Sequence, residues 1–97
     1  MDPQTKSKVR AHIFLQGYVT GVGFRWFLHK KAEDIGATGT VRNLPDGRLE
    51  AIFEGAPDQV DEMIAYARTG PDAARVNVID VTWEEYQGQW DELVITY

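Results

Sequence analysis

The sequence predicts an α+β fold in which two helices pack on one face of a mixed or antiparallel sheet. Three observations carry this prediction. Segments with strand period and helix period alternate along the chain, a glycine follows each helical segment, and a strong turn signal joins two strands. The 97 residues suffice for one such domain with a modest core. Cysteine is absent, which excludes disulfides, thiolate metal sites and a cysteine nucleophile.

The first strand and the first helix follow from a change of apolar period. Alternating apolar residues predict a strand with one buried face at Val9, Ala11, Ile13 and Leu15. The next apolar residues recur at helical spacing, at Phe24, Phe27, Leu28, Ala32 and Ile35. Gly36 stands where a left-handed cap would end this helix.

A tight turn joins the second and third strands. Thr38 to Asn43 and Arg48 to Glu54 both have strand composition, and they flank Leu44-Pro45-Asp46-Gly47. Proline and the Asp-Gly pair set the backbone angles of such a turn. The sequence therefore predicts a hairpin.

The second half of the chain repeats the pattern of helix and strand. Pro57 begins a second helix that ends at Gly70, with its apolar face at Val60, Met63, Ile64 and Ala67. Val76 to Glu84 is the predicted fourth strand, in which the apolar phase shifts between residues 78 and 79, indicating a bulge or a late start. Leu93 to Tyr97 is the predicted short fifth strand, at an edge. This order fits a ferredoxin-like split βαβ sandwich, βαββαβ plus a short C-terminal strand.

The crossover rule places two loops at one edge of this sheet. A right-handed crossover through the first helix makes the first two strands parallel, with the third strand between them. The segment after the first strand and Asn43 at the end of the second then face each other across about 10 Å, two strand spacings. A phosphate and one water would fit such a gap.

The stretch from Gly17 to Arg25, GYVTGVGFR, has the composition of an anion-binding loop. Its three glycines let the backbone turn its amides inward, and the following helix directs its free N–H groups and positive dipole end the same way. Arg25 adds a planar fork of donors suited to phosphate. A cation in the first turn opposes the helix dipole unless an anion lies between them. The local sequence alone leaves Asn43 with two interpretations, a site residue or the start of the turn.

Charge and composition limit the partners. The net charge is −5, with +2 over residues 1–55 and −7 over residues 56–97. An acidic chain repels a polyanion, so no nucleic acid partner is expected. The polar residues 1–8 are expected to form a flexible tail before one domain over residues 9–97. Without a secretory or membrane-spanning segment, we expect a cytoplasmic monomer with no membrane partner. His12 and His29 lack metal-ligand spacing, so no metal and no cofactor are expected.

Two segments, GYVTGVGFR and the later GTVRNLPDGRLE from Gly39 to Glu50, resemble the signature segments of acylphosphatases. The resemblance continues through FEGAPDQV and GPDAARV, and it covers nearly everything after residue 8. It implies metal-independent hydrolysis of acyl phosphates to a carboxylate and inorganic phosphate. Arg25 matches the phosphate-binding arginine of the family, and Asn43 matches the asparagine that orients the attacking water. The backbone amides expected to hold the phosphate are those of Gly17, Tyr18, Val19, Thr20, Gly21, Val22, Gly23 and Phe24.

The same fold also serves a second class of function. A non-catalytic module that binds an acyl phosphate or phosphate would carry the same loop and arginine. Thr20 and Gly23 depart from the usual family pattern, but neither change removes a backbone donor. Hydrolysis of benzoyl phosphate in the presence of a chelator separates the enzyme from the module.

Overall fold

The computed structural model describes residues 8–97. The predicted flexible tail, apart from Lys8, lies outside the described residues. The elements are β1 (Val9–Tyr18), α1 (Phe24–Ile35), β2 (Thr38–Asn43), β3 (Leu49–Gly55), α2 (Pro57–Thr69), β4 (Arg75–Glu84) and β5 (Leu93–Ile95). The predicted element order is confirmed. Within residues 8–97, neither helix has the length and apolar character needed to cross a membrane.

The five strands form one mixed sheet in the order β4-β1-β3-β2-β5. β3 pairs antiparallel with both β1 and β2, so β1 and β2 run in the same direction on either side of it. β5 runs parallel to β2 at the edge of the sheet. The crossover prediction and the ferredoxin-like fold are therefore confirmed.

The core lies between the two helices and one face of the sheet. Alternate residues of β1 and β3 point into it, and the buried helical residues close it from the other side. Its largest fully buried apolar side chains are Phe24, Phe53, Ile13, Leu15, Leu28, Leu49, Met63 and Leu93. Because Phe24 is the first residue of α1, this packing fixes the start of the helix against the sheet.

β4 contains the irregularity that the sequence predicts, slightly earlier than expected. Gln16 of β1 pairs with Val78, and Gly17 pairs with Val76, so Asn77 is the extra residue of a bulge. β4 begins at Arg75, which excludes the late start. Val78 is apolar yet points outward, which explains why the apolar phase alone misplaced the bulge.

The face of the sheet opposite the helices carries charged side chains. His12 lies on this face and contacts Glu50 of β3 and Glu84 of β4. The segment after β4 folds back over the same face, where Gln87 and Gly88 donate their backbone N–H groups to the buried carboxylate of Glu54. The contacts of Glu54 lie near the start of β1, at the end opposite the glycine loop.

Candidate active site

The glycine loop connects β1 to α1 at the edge of the sheet where β1 and β2 end. Gly17 has a φ of 134°, and a Cβ atom there would collide with the carbonyl oxygen of Arg75 in β4. Only glycine fits this close approach. Gly23 precedes α1 in the left-handed conformation, with φ 77° and ψ 19°.

The N-terminal end of α1 has free backbone donors. No side chain caps the helix, and its first turn contains no acidic residue. Within residues 8–97, no backbone carbonyl accepts a hydrogen bond from the N–H groups of residues 20–26. Such donors and the positive end of the helix dipole together attract an anion.

A cleft of about 240 Å³ opens beside this loop, and we call it the loop cleft. It is lined by Val19, Gly21, Gly23, Phe24, Arg25, Trp26, Asn43, Ile95 and Tyr97. The two side chains predicted to act in catalysis, Arg25 and Asn43, thus line the same cleft. Four predicted loop residues are not among its lining residues: Gly17, Tyr18, Thr20 and Val22. Gly17 and Tyr18 are the last two residues of β1, paired with β4.

The guanidinium of Arg25 is available for a ligand. In the described part of the chain, no carboxylate lies within salt-bridge distance of Arg25. Its Cζ atom lies 4.9 Å from the centre of the Tyr97 ring, a cation–π contact that orients the guanidinium without neutralising it. An arginine held in this way keeps its bidentate donors for an oxyanion.

Asn43 ends β2 and does not serve the turn that follows. Backbone hydrogen bonds join Leu44 to Arg48 and Gly47 to Leu44, and the side chain that supports the turn is Asp46, which accepts from the N–H of Arg48. That hydrogen bond, together with the Arg48 side chain, lowers the pKa of Asp46. The Oδ1 atom of Asn43 is buried and accepts no hydrogen bond from any described residue. The turn interpretation of Asn43 therefore lacks a supporting contact, and the buried Oδ1 atom is an acceptor without a partner among the described residues.

β5 completes the cleft on the outer side. Ile95 pairs with Val41 in parallel register, so continuing the register by two residues brings Tyr97 beside Asn43. The Thr96 N–H donates to the Val41 carbonyl at 2.9 Å, which holds this end of the chain against β2. Residues of three elements, α1, β2 and β5, thus meet around one opening.

The two histidines lie away from the cleft lining. His29 donates its Nδ1 proton to the Leu93 carbonyl at 2.8 Å, because a carbonyl oxygen only accepts. His12 lies on the opposite face of the sheet. Among the described residues, no three His, Asp or Glu side chains lie close enough to hold a metal ion.

Comparison with known proteins decides the family. The family model described as Acylphosphatase matches residues 11–95. The chain belongs to the acylphosphatase family. An acylphosphatase of Thermococcus kodakarensis is 49% identical over 81 residues, which cover 84% of this chain and 89% of that protein. The solved structure of an acylphosphatase from Coxiella burnetii matches with a TM-score of 0.90 and 27% identity, over 99% of this chain and 100% of that one.

A second solved structure shows the same fold inside a larger protein. Full-length HypF, in a phosphate- and nucleotide-bound form, matches 93% of this chain with a TM-score of 0.83 and 25% identity, but the match covers only 12% of HypF. By contrast, the match to the Thermococcus acylphosphatase covers most of both chains. The sequence-based expectation of an acylphosphatase enzyme is confirmed, and acylphosphatases act on small acyl phosphates.

Three residues of this acylphosphatase cleft were not among the predicted site residues. Trp26, Ile95 and Tyr97 line the cleft beside Arg25 and Asn43. Trp26 directly follows Arg25, so its position in the sequence was a usable signal. Ile95 and Tyr97 reach the cleft only through the pairing of β5 with β2, which sequence periodicity does not reveal.

Proposed function

We propose that this acylphosphatase hydrolyses its substrate by in-line attack of a water on a phosphoryl group held by Arg25 and the loop amides, without a metal ion. The observation that carries the proposal is that Arg25 and Asn43 line one cleft with the unpaired N–H groups of the loop. The amides and the guanidinium stabilise negative charge on the phosphoryl oxygens. Phosphoryl transfer needs little more than positioning and charge stabilisation when the leaving group is good.

The reaction balances without a protein nucleophile. The oxygen of water forms a bond to phosphorus, and the bond between phosphorus and the bridging oxygen breaks, with its electron pair leaving on the carboxylate. The proton of the water goes to a phosphate oxygen, so the products are a carboxylate and inorganic phosphate. A carboxylate is a weak base and leaves readily, so a strong general base is unnecessary.

Asn43 is proposed to orient the water. Its amide can accept a hydrogen bond from the water through Oδ1 and donate through Nδ2 to a phosphoryl oxygen. Oδ1 is buried in this structure, so this role requires a rotation of the amide about its last side-chain bond, a torsion with broad minima. No hydrogen bond from a described residue opposes that rotation.

The test is hydrolysis of benzoyl phosphate in the presence of a chelator, with inorganic phosphate as a competitive inhibitor. Asn43→Ala should lower kcat by about 10²-fold, while the inhibition constant for phosphate rises by no more than about tenfold, the effect of losing one hydrogen bond. Asn77→Ala is the matched control, because Asn77 is exposed in the β4 bulge. Unchanged kcat in Asn43→Ala would remove the residue from the mechanism. Phosphate binding without turnover in the wild type would favour the non-catalytic module. Loss of activity in the presence of the chelator would show that the reaction requires a metal ion.

A further inference from the structure

Trp26 is an exposed aromatic residue beside the proposed phosphate site. Its side chain is 60% exposed, although it lines the loop cleft next to Arg25. A large apolar side chain left in water forgoes burial worth about 2 kcal/mol or more. An exposed aromatic at the mouth of a polar cleft is the arrangement expected of a surface that receives an apolar group of a ligand.

The indole is held in place from one side. The rings of Trp26 and His29 stack with centroids 5.3 Å apart and planes at 23°. His29 is itself fixed by its hydrogen bond to the Leu93 carbonyl at 2.8 Å. Lys30 lies 5.8 Å from the indole centre, near the outer limit of a cation–π contact, and its ammonium pairs with Glu33 at 3.1 Å. The ring of Trp26 is therefore oriented by its own helix.

We propose that Trp26, with Ile95 as a second apolar wall, binds the acyl group of the substrate and favours aromatic acyl phosphates over acetyl phosphate. This inference rests on the proposed function, because it assumes that the phosphoryl group lies at Arg25. The cleft of about 240 Å³ far exceeds the ~15 Å³ that one water needs, so it has room for a phosphoryl group, a water and part of an acyl group.

Trp26 and Asn43 reach the loop cleft from different elements. The attacking water and the leaving group lie on opposite sides of phosphorus. Asn43, which is proposed to orient the water, belongs to the sheet layer, and Trp26 belongs to the helix layer. The proposed acyl subsite and the proposed position of the water are therefore formed by different elements of the fold.

The experiment compares kcat/KM for benzoyl phosphate and acetyl phosphate. The wild type should prefer benzoyl phosphate, and Trp26→Ala should reduce the ratio of the two kcat/KM values by about 3- to 10-fold, the effect of losing one aromatic contact. Trp26→Phe should retain most of the ratio. Trp83→Ala is the matched control, since Trp83 is 54% exposed and pairs with Ala11, far along β1 from the loop.

The outcomes separate this inference from the proposed function. A ratio unchanged in Trp26→Ala, or an equal loss for both substrates, overturns the acyl subsite while leaving hydrolysis intact. Binding of benzoylphosphonate and acetylphosphonate, measured by thermal shift, tests the subsite without turnover. A preference for benzoylphosphonate that Trp26→Ala removes supports the subsite even if the wild type hydrolyses neither acyl phosphate, a result that would overturn only the proposed function.

Discussion

Replacing Arg25 with alanine should separate ligand binding from folding. Arg25 lies in the first turn of α1, where its charge opposes the helix dipole, and its only described aromatic contact is with Tyr97 at 4.9 Å. A misplaced cation at a helix N-terminus costs about 0.3–1 kcal/mol. An exposed cation–π contact contributes about 0.5–1 kcal/mol. Because these two terms oppose each other, Arg25→Ala should change the free energy of unfolding by less than about 1 kcal/mol without ligand.

Phosphate changes this balance. At a concentration of 100 times its Kd, phosphate should stabilise the wild type by about 2.7 kcal/mol, equivalent to a rise in Tm of about 10–20 °C for a domain of this size. Loss of the bidentate guanidinium should weaken phosphate binding by about 100-fold. The same phosphate concentration then equals the Kd of the variant and stabilises it by only ~0.4 kcal/mol, or about 2–3 °C.

Thermal unfolding with and without inorganic phosphate, at constant ionic strength, measures both effects. Arg68→Ala is the matched control, because Arg68 is exposed in the last turn of α2 and is not among the cleft-lining residues. It should keep the full phosphate-dependent rise in Tm. The reasoning is refuted if Arg25→Ala keeps that rise, since the loop amides would then bind phosphate alone. A loss of more than about 2 kcal/mol without ligand would show that Arg25 is mainly structural.

Two further predictions concern stability. Gly17→Ala should destabilise the protein by about 3 kcal/mol or more in urea unfolding, because the added Cβ atom would collide with backbone atoms. Gly21→Ala has open space around its Cβ and should cost about 1–2 kcal/mol, from its positive φ alone. Equal losses of stability in the two variants would contradict the steric argument. Burial lowers the pKa of His12, but its hydrogen bonds to Glu50 and Glu84 outweigh this and raise the pKa above 6.5. His12 therefore stabilises the fold fully below pH 6.5, and the contribution disappears as pH rises through the raised value. Urea unfolding at several pH values should show this decline in the wild type and not in His12→Gln.

The elements of this fold were readable from the sequence because each is locally determined. The period of β1 and α1, the proline at the start of α2 and the Asp-Gly turn all depend on neighbours within a few residues. The observed ends of the strands and helices differ from the predicted ones where the side-chain pattern and the backbone pairing disagree. β3, for example, begins at Leu49 rather than Arg48 because Arg48 supports the turn through Asp46.

The residues that line the loop cleft could be predicted only in part from the sequence. Arg25 and Asn43 could be placed together because the crossover rule and the hairpin fix where β1 and β2 end. Tyr97 could not, because its position depends on a three-residue edge strand that pairs parallel with β2. The hydrogen bonds of Glu54 on the outer face of the sheet also could not be predicted from the sequence, because the backbone N–H groups that Glu54 accepts from lie more than 30 residues away along the chain.

The two ends of β1 differ in whether the polar groups near them have hydrogen-bond partners within the protein. At one end, Glu54 accepts from Arg10 and from two backbone N–H groups, so the buried carboxylate is satisfied within the protein. At the other end, the amides of residues 20–26 and Oδ1 of Asn43 have no partner among the described residues. Unpaired polar groups cost stability, so a fold keeps them where a ligand supplies the missing contacts. The concentration of such groups at one edge of an otherwise well-paired sheet is the physical reason to place the chemistry there.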